Sequence, residues 1–318
     1  MEVRIFNKGG IINMEYRPLV SIIIPTYNEK EDIRLSLNAA IGFKYQNKEI
    51  IVVDDSTDNT PEIIKEYEKY GVRLIHRSNR SNGCCGARNL GILEAKGEIV
   101  ILLNADVFPD GDFIERILHH YRNGADYVLV ESKVANDEYL FSRFVEAQGH
   151  YSYDGKDWIE WTEGFSCRKQ AAIDIGLIPG DFPLPFCRDW LLGKNLGGNG
   201  YKKIIDRSIV VPHIAPQTFE DYWRVRKTRG RFSAMFKFFV EKVELKKLTM
   251  RIFLKSMIAL GEIILVFPVL FKCTKIASFS PRKMRDVAPF VYAYILQRIA
   301  FTVGEWEGCI ELFKNGFL

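Results

Sequence analysis

Two short acidic segments carry the first chemistry in this 318-residue chain. In Val52-Val53-Asp54-Asp55-Ser56-Thr57-Asp58, an apolar run ends in adjacent carboxylates. Helix capping accounts for Asp58 but not for two aspartates side by side. Such a turn can set a carboxylate, Asp54 or Asp55, on the edge of a nucleotide base or on a ribose hydroxyl. Leu103-Asn104-Ala105-Asp106 ends a second apolar run. Residues i and i+2 of an extended end share a side, so Asn104 and Asp106 can face one ligand. A hard divalent cation bridging two phosphates needs only one or two protein carboxylates, because water and phosphate oxygens complete its shell. Asn82-Gly83-Cys84-Cys85-Gly86-Ala87-Arg88-Asn89 is a glycine-bearing loop that opens a helix. Its backbone N–H groups and Arg88 suit a phosphate or a base. It fits neither the dinucleotide fingerprint nor the Walker loop.

These residues need elements to hold them. Apolar, β-branched runs at 19–24, 49–53, 72–76, 98–103 and 127–134 predict short buried strands, the first stopped by Pro25. Helical periodicity fills 29–40, 58–70, 85–95 and 110–121, with Asp58 as a cap and Pro61 in a first turn. The alternation predicts an α/β fold with a mostly parallel sheet and helices on both faces. Ligands bind beyond the carboxyl ends of such strands, and both acidic segments fall on that edge. The stretch 136–211 is less regular and rich in Trp, Gly and Pro. Trp158 and Trp161 there suit stacking on sugar rings, although core packing is the ordinary use of tryptophan.

Together these pieces resemble family 2 of the glycosyltransferases, which have the GT-A fold, a Rossmann-like one. The similarity extends to the membrane-associated prokaryotic or archaeal members. Ser21 through Glu29 resembles the family's opening strand and loop, and Val52 through Thr60 its base-binding segment. Gly86-Ala87-Arg88-Asn89 matches the following helix, and Leu102 through Asp106 occupies the DxD position. Asp189 sits where the family's Glu-Asp motif falls, and the stretch 201–213 resembles its closing strand and histidine. The resemblance implies a hexosyltransferase that takes a nucleotide-sugar donor. Pro25, Thr26, Tyr27, Glu29, Asp54 or Asp55, Arg88, Asn104 and Ala105 would line that donor. Asp106, with His213, would hold Mg²⁺ or Mn²⁺ on the diphosphate. Asp189 would be the general base for an inverting attack by a hydroxyl of a glycan or lipid-linked acceptor. Two positions depart from the pattern: Asn104 replaces the first Asp of DxD, and Arg188 stands where Glu precedes the base. Two alternatives stay open: a polyprenyl-phosphate sugar synthase and, motivated by these departures, a nucleotide-sugar-binding protein without turnover.

Composition bounds the rest. A net charge of +4 is too small to argue for nucleic acid, and none is expected as a partner. Six scattered cysteines lack the paired spacing of a zinc site and predict free thiols in a reducing compartment. Residues 1–14 hold no apolar secretory core, and Met14 is the expected start. Arg224, Lys227 and Arg231 share a helical face and suit a diphosphate, an anionic acceptor or membrane head groups. Beyond them, 256–271 and 288–303 are apolar but shorter than the ~20 residues of a spanning helix. A hairpin, interfacial helices and buried helices all fit. The basic segments 242–247 and 282–285 beside these runs favour contact with a membrane, at its cytoplasmic face. The expected organisation is an extension over 1–18, a GT-A domain over 19–219 and a basic, helical tail over 220–318.

Overall fold

The computed structural model describes residues 6–7, 10–11, 16–80, 82–153, 163–180 and 188–317. The described residues form two compact units. The first comprises the described residues up to 132, with 163–180 and 188–213; the second comprises 133–153 and 214–317.

The first unit is built on a sheet. Its strands are Val20–Thr26 (β1), Lys48–Asp54 (β2), Val72–His76 (β3), Ile99–Leu102 (β4), Tyr127–Val134 (β5), Phe165–Arg168 (β6) and Lys203–His213 (β7). They lie in the order β3-β2-β1-β4-β6-β5-β7. The first four are mutually parallel, whereas β6 runs antiparallel to both β4 and β5. Side chains alternate between faces along each strand. Ile22 and Ile24 join one core with Ile33 and Leu37 of α1 (Ile33–Gly42) and Phe113 and Ile117 of α4 (Phe113–Arg122). That core also takes in Ile64 of α2 (Thr60–Lys65). Ile23, on the opposite face, meets α3 (Gly83–Glu94) so closely that a Cβ at Gly91 would lie 2.3 Å from its Cγ2. Each of these buried aliphatic side chains stabilises the fold by about 1.5–3 kcal/mol.

The first strand does not stop at Pro25, as its sequence predicted; it continues to Thr26. Ile23 accepts from Leu103 on the β4 side, and Pro25 faces the same way, past the last β4 partner at Leu102. Its missing N–H therefore breaks no ladder bond. Two short helices complete this unit: α6 (Lys169–Asp174) and α7 (Leu191–Gly198).

The second unit is helical: α5 (Leu140–Tyr153), α8 (Phe219–Phe239), α9 (Leu245–Ile264), α10 (Phe267–Ala277) and α11 (Val287–Lys314). Phe141 stacks on Tyr222 at 4.5 Å, and Phe144 meets Phe290 edge-on at 5.2 Å. Arg143 closes a buried ion pair with Asp286. These contacts group α5 with the C-terminal helices, a grouping the linear domain reading did not foresee. Where α8 and α11 cross, the backbones touch: a Cβ at Gly304 would lie 1.9 Å from the Lys227 carbonyl oxygen.

Among the described residues, one helical run (Lys283–Lys314) is long and apolar enough to cross a membrane. The pair α9 and α10 passes the same test only jointly, and it is bent by 84°. Cys85, Cys167, Cys273 and Cys309 are buried free thiols, as expected. Cys84 is not: it is disulfide-bonded, so the expectation of six free thiols fails at the loop that opens α3.

Candidate active site

The carboxyl ends of β1, β2 and β3 are tied side by side. Thr26, Asp54 and His76 lie in one row of the ladder. Asp54 accepts from the Thr26 hydroxyl at 2.6 Å and the Ser56 hydroxyl at 2.6 Å, and its other oxygen is 2.8 Å from His76 Nδ1. It is wholly buried. Asp54 therefore departs from its expected place at a nucleotide, since its oxygens are enclosed and engaged in fixing three strand ends. The Thr26 side chain is enclosed with it. Asp55 is also buried, with Arg77 donating from Nε at 2.6 Å and from Nη2. Arg77 reaches on to the Gly83 carbonyl oxygen at 2.9 Å, so it couples Asp55 to the loop opening α3.

The loop after β1 is knitted to the loop after β2. Asn28, at a left-handed φ of 57°, donates its N–H to Ser56 and accepts from the Thr57 N–H at 2.9 Å. The Glu29 N–H donates to Thr60. Pro25 is buried, while Tyr27 is exposed and lies under the Arg80 guanidinium, 3.2 Å from the ring centroid.

The loop after β4 holds Asn104, Ala105 and Asp106. The Ser36 hydroxyl of α1 fixes it, donating toward the Asn104 and Val107 carbonyl oxygens and accepting from the Val107 N–H. Ala105 is buried, and Asn104 accepts at Oδ1 from Arg88 Nη2 at 2.6 Å. The same Arg88 nitrogen is 3.1 Å from the Asp189 carboxylate. Arg88 is itself buried, and Asp189, at the start of α7, is 24% exposed. One guanidinium thus joins the loop after β4 to the candidate base. Arg188 is buried rather than at the surface, and its N–H donates to Cys85 Sγ.

Asp106 is half-buried. Burial first, then the negative charges of Glu163 and Glu29 and that of Asp32, push its carboxyl up to about 8. A carboxyl that resists ionisation beside other acids is the donor chemistry a divalent cation relieves. Among the described residues no group of three or more His, Cys, Asp or Glu converges with ligand geometry. A diphosphate-bound ion needs fewer, so Asp106 fits Mg²⁺ or Mn²⁺. His213 lies across a β-bridge from Val107, and its Nδ1 is 2.9 Å from the Ser132 hydroxyl.

Sequence reasoning missed Arg77, Arg80, Asp32 and Glu163. Glu163 immediately precedes Gly164, whose φ of 73° and packing against Val130, Val211 and Phe113 fix the turn into β6. Trp158 and Trp161 lie outside the described residues. Arg224, Lys227 and Arg231 belong to the second unit, where they pair with Asp221, Glu307 and Glu311 rather than forming an open basic face. The helix instead buries Arg226, 4.9 Å from the Tyr222 ring centroid and with no hydrogen-bond partner at Nε.

Comparison with known proteins bears on this arrangement. Residues 21–178 match the sequence profile of Glycosyl transferase family 2. A putative teichuronic acid biosynthesis glycosyltransferase of Bacillus subtilis is 31% identical over 143 residues, covering 44% of this chain and 57% of that protein. The poly-β-1,6-N-acetyl-D-glucosamine synthase of Staphylococcus aureus is 25% identical over 258 residues, covering 76% and 61%. The chain thus spans about three fifths of these relatives' length. Among solved structures, a mannosyltransferase from Pyrobaculum calidifontis in complex with GDP-Man and Mn²⁺ superposes with a TM-score of 0.54 at 18% identity, covering 95% of this chain and 77% of that one. S. aureus TarS in complex with UDP-GlcNAc gives 0.53 at 16% identity, covering 93% and 92%. These likenesses establish the GT-A-like fold, with a mostly parallel sheet and a long C-terminal helix.

Proposed function

Residues 21–178 belong to Glycosyl transferase family 2, and from that premise we propose that the chain transfers a hexose from a nucleoside-diphosphate sugar to an acceptor hydroxyl. The acceptor is a glycan or a lipid-linked sugar at the cytoplasmic face of a membrane. The observation that carries this reading is the Arg88 guanidinium, which reaches both Asn104 and Asp189. It ties the loop expected at the donor phosphates to a partly exposed carboxylate.

In this reading the donor's nucleotide lies over the ends of β1 and β2. The Tyr27 ring and Glu29 border it, and Asp55 with Arg77 backs the base. Asp189 takes the acceptor's proton as the hydroxyl attacks the anomeric carbon from the face opposite the nucleotide, inverting that centre. An ordinary carboxylate suffices, because the proton is lost only as the attack develops. Arg88 and the Trp190 N–H, which donates to Asp189 Oδ1 at 3.0 Å, hold the carboxylate in one orientation. Asp106 would hold Mg²⁺ or Mn²⁺, with His213 close by; such an ion offsets the charge that builds on the departing diphosphate. Asn104 contributes a neutral oxygen, and that oxygen already accepts from Arg88.

A thermal-shift screen of UDP-GlcNAc, GDP-mannose and dTDP-sugars, each with and without Mn²⁺, tests donor binding. Binding stabilises the folded chain by mass action, by about 2.7 kcal/mol at a hundredfold excess over Kd, and so raises the melting point. We expect one nucleotide class to raise it, and more with Mn²⁺ present. If no nucleotide sugar moves the transition under either condition, the reading fails.

A further inference from the structure

The second unit carries an apolar surface that the transfer chemistry does not use. Helices α9 and α10 meet at an 84° bend, and its outer side is uncovered. Phe253, Met257 and Ile258 are exposed along α9, and Phe271 along α10. The apex is barer still: Ile264 is 70% exposed and Phe267 82%. Charges within this stretch are drawn off the face. Lys255 reaches back to the buried Glu305, and Glu262 pairs with Arg298. A contiguous apolar patch of this kind on a folded chain marks an interaction site.

Its flanks say what the partner is. Between residues 242 and 285 the chain holds ten Lys or Arg and two Glu. Lys246, Lys247 and Arg251 precede the apolar stretch of α9, Lys272 and Lys275 follow that of α10, and all five are exposed. An apolar apex between two basic flanks complements an anionic lipid surface, acyl chains inside and phosphates at the rim. A second copy of this chain would set one positive rim against another.

The dimensions exclude a crossing by this pair. The apolar part of α9 rises about 18 Å and α10 about 16 Å at 1.5 Å per residue, against a hydrocarbon core of about 30 Å. The bend prevents one arm from continuing the other. Nor does the longer α11 take that place. It buries Phe290, Ala293, Ala300, Gly304 and Leu312 inside the helical unit, and its Glu305 receives Lys237 and Lys255.

We propose that the α9–α10 elbow inserts into one leaflet of an anionic membrane. The apex around 264–267 enters the acyl region, the basic flanks rest on the head groups, and α11 stays within the protein. This rests on the membrane placement proposed above and says which segment makes the contact, and how deeply.

The test is co-sedimentation of the full chain with preformed vesicles of phosphatidylcholine, alone or mixed with phosphatidylglycerol. The variants are Leu265→Asp/Phe267→Asp at the apex and Lys246→Glu/Lys247→Glu on the flank. Circular dichroism and the nucleotide-sugar thermal shift serve as folding controls. The native chain should bind the mixed vesicles at least about tenfold more tightly than the neutral ones, as expected of basic residues at an anionic surface. The apex pair should lose binding to both by about tenfold or more with the controls unchanged, and the flank pair should lose only the preference for the anionic lipid. Full vesicle binding by a folded apex variant would overturn the elbow while leaving membrane contact standing. Failure of the native chain to bind either vesicle would overturn both, and so would lipid-free self-association abolished by the apex pair. Donor binding is read separately, so either failure is distinguishable from failure of the transferase reading.

Discussion

Asp106 is where charge and metal meet most directly. Its carboxyl stands at about 8 in the folded chain, against about 3.9 when exposed. A folded value above the unfolded one favours the protonated native state. Its contribution is complete below about pH 4 and is lost as pH rises toward 8. Without a cation, the melting point should therefore fall over that interval, and Asp106→Asn should flatten the fall. A cation needs the ionised form, so the extra stabilisation by Mn²⁺ with a bound donor should grow as pH approaches 8 in the native chain and vanish in Asp106→Asn. Melting curves across pH, with and without Mn²⁺, check both. A native profile that matches the variant's would remove Asp106 from the metal reading. The residues around it were unevenly legible. Asp54 and Asp55 read as a pair, yet one is enclosed by three strand ends and the other is held by Arg77. Neither partner follows from local spacing, because His76 and Arg77 arrive through the parallel register of β3.

At the scale of elements, the α8–α11 crossing depends on two glycines. A methyl at Gly304 would fall 1.9 Å from the Lys227 carbonyl oxygen, and one at Gly230 would fall 2.0 Å from that of Phe301. Both obstacles are backbone, so no rotamer change relieves them. Gly304→Ala should lower stability by about 1–3 kcal/mol, as overpacking does, despite alanine's better helix propensity. Urea unfolding checks this, and a neutral or stabilising result would mean that the helices do not touch there. Periodicity gave β3 and β5 to the residue, because both are bounded by turn residues and carry apolar, β-branched runs. It failed where the tertiary setting decides. The predicted helix over 58–70 is a short α-helix at Thr60–Lys65 and a separate 3₁₀ turn at Glu68–Tyr70. Antiparallel β6 was not predicted as a strand, since Phe165-Ser166-Cys167-Arg168 lacks the β-branched, continuous apolar run that marks the equally short β4.

Across the whole molecule, motif order along the chain carried more than any one motif. The segments after β2 and β4 were expected at the carboxyl edge of a parallel sheet, and that is where they lie. The linear reading kept 19–219 as one domain, whereas α5 groups with the C-terminal helices through Phe141, Phe144 and Arg143. Contacts separated by more than seventy residues leave no local trace in a sequence. The same holds for Arg88: its position in the helix after the glycine-bearing loop was visible, but its reach to Asn104 and Asp189 was not. That reach makes Asp189 the residue on which the account turns. The most direct measurement is release of nucleoside diphosphate from the donor found by thermal shift, with a panel of hydroxyl acceptors, for the native chain and for Asp189→Asn. The account predicts acceptor-dependent release by the native chain. It predicts a loss of about 10²–10⁴-fold in the variant, as expected of a general base, with donor binding unchanged. Equal release by both proteins, or donor binding without any release by the native chain, would contradict it.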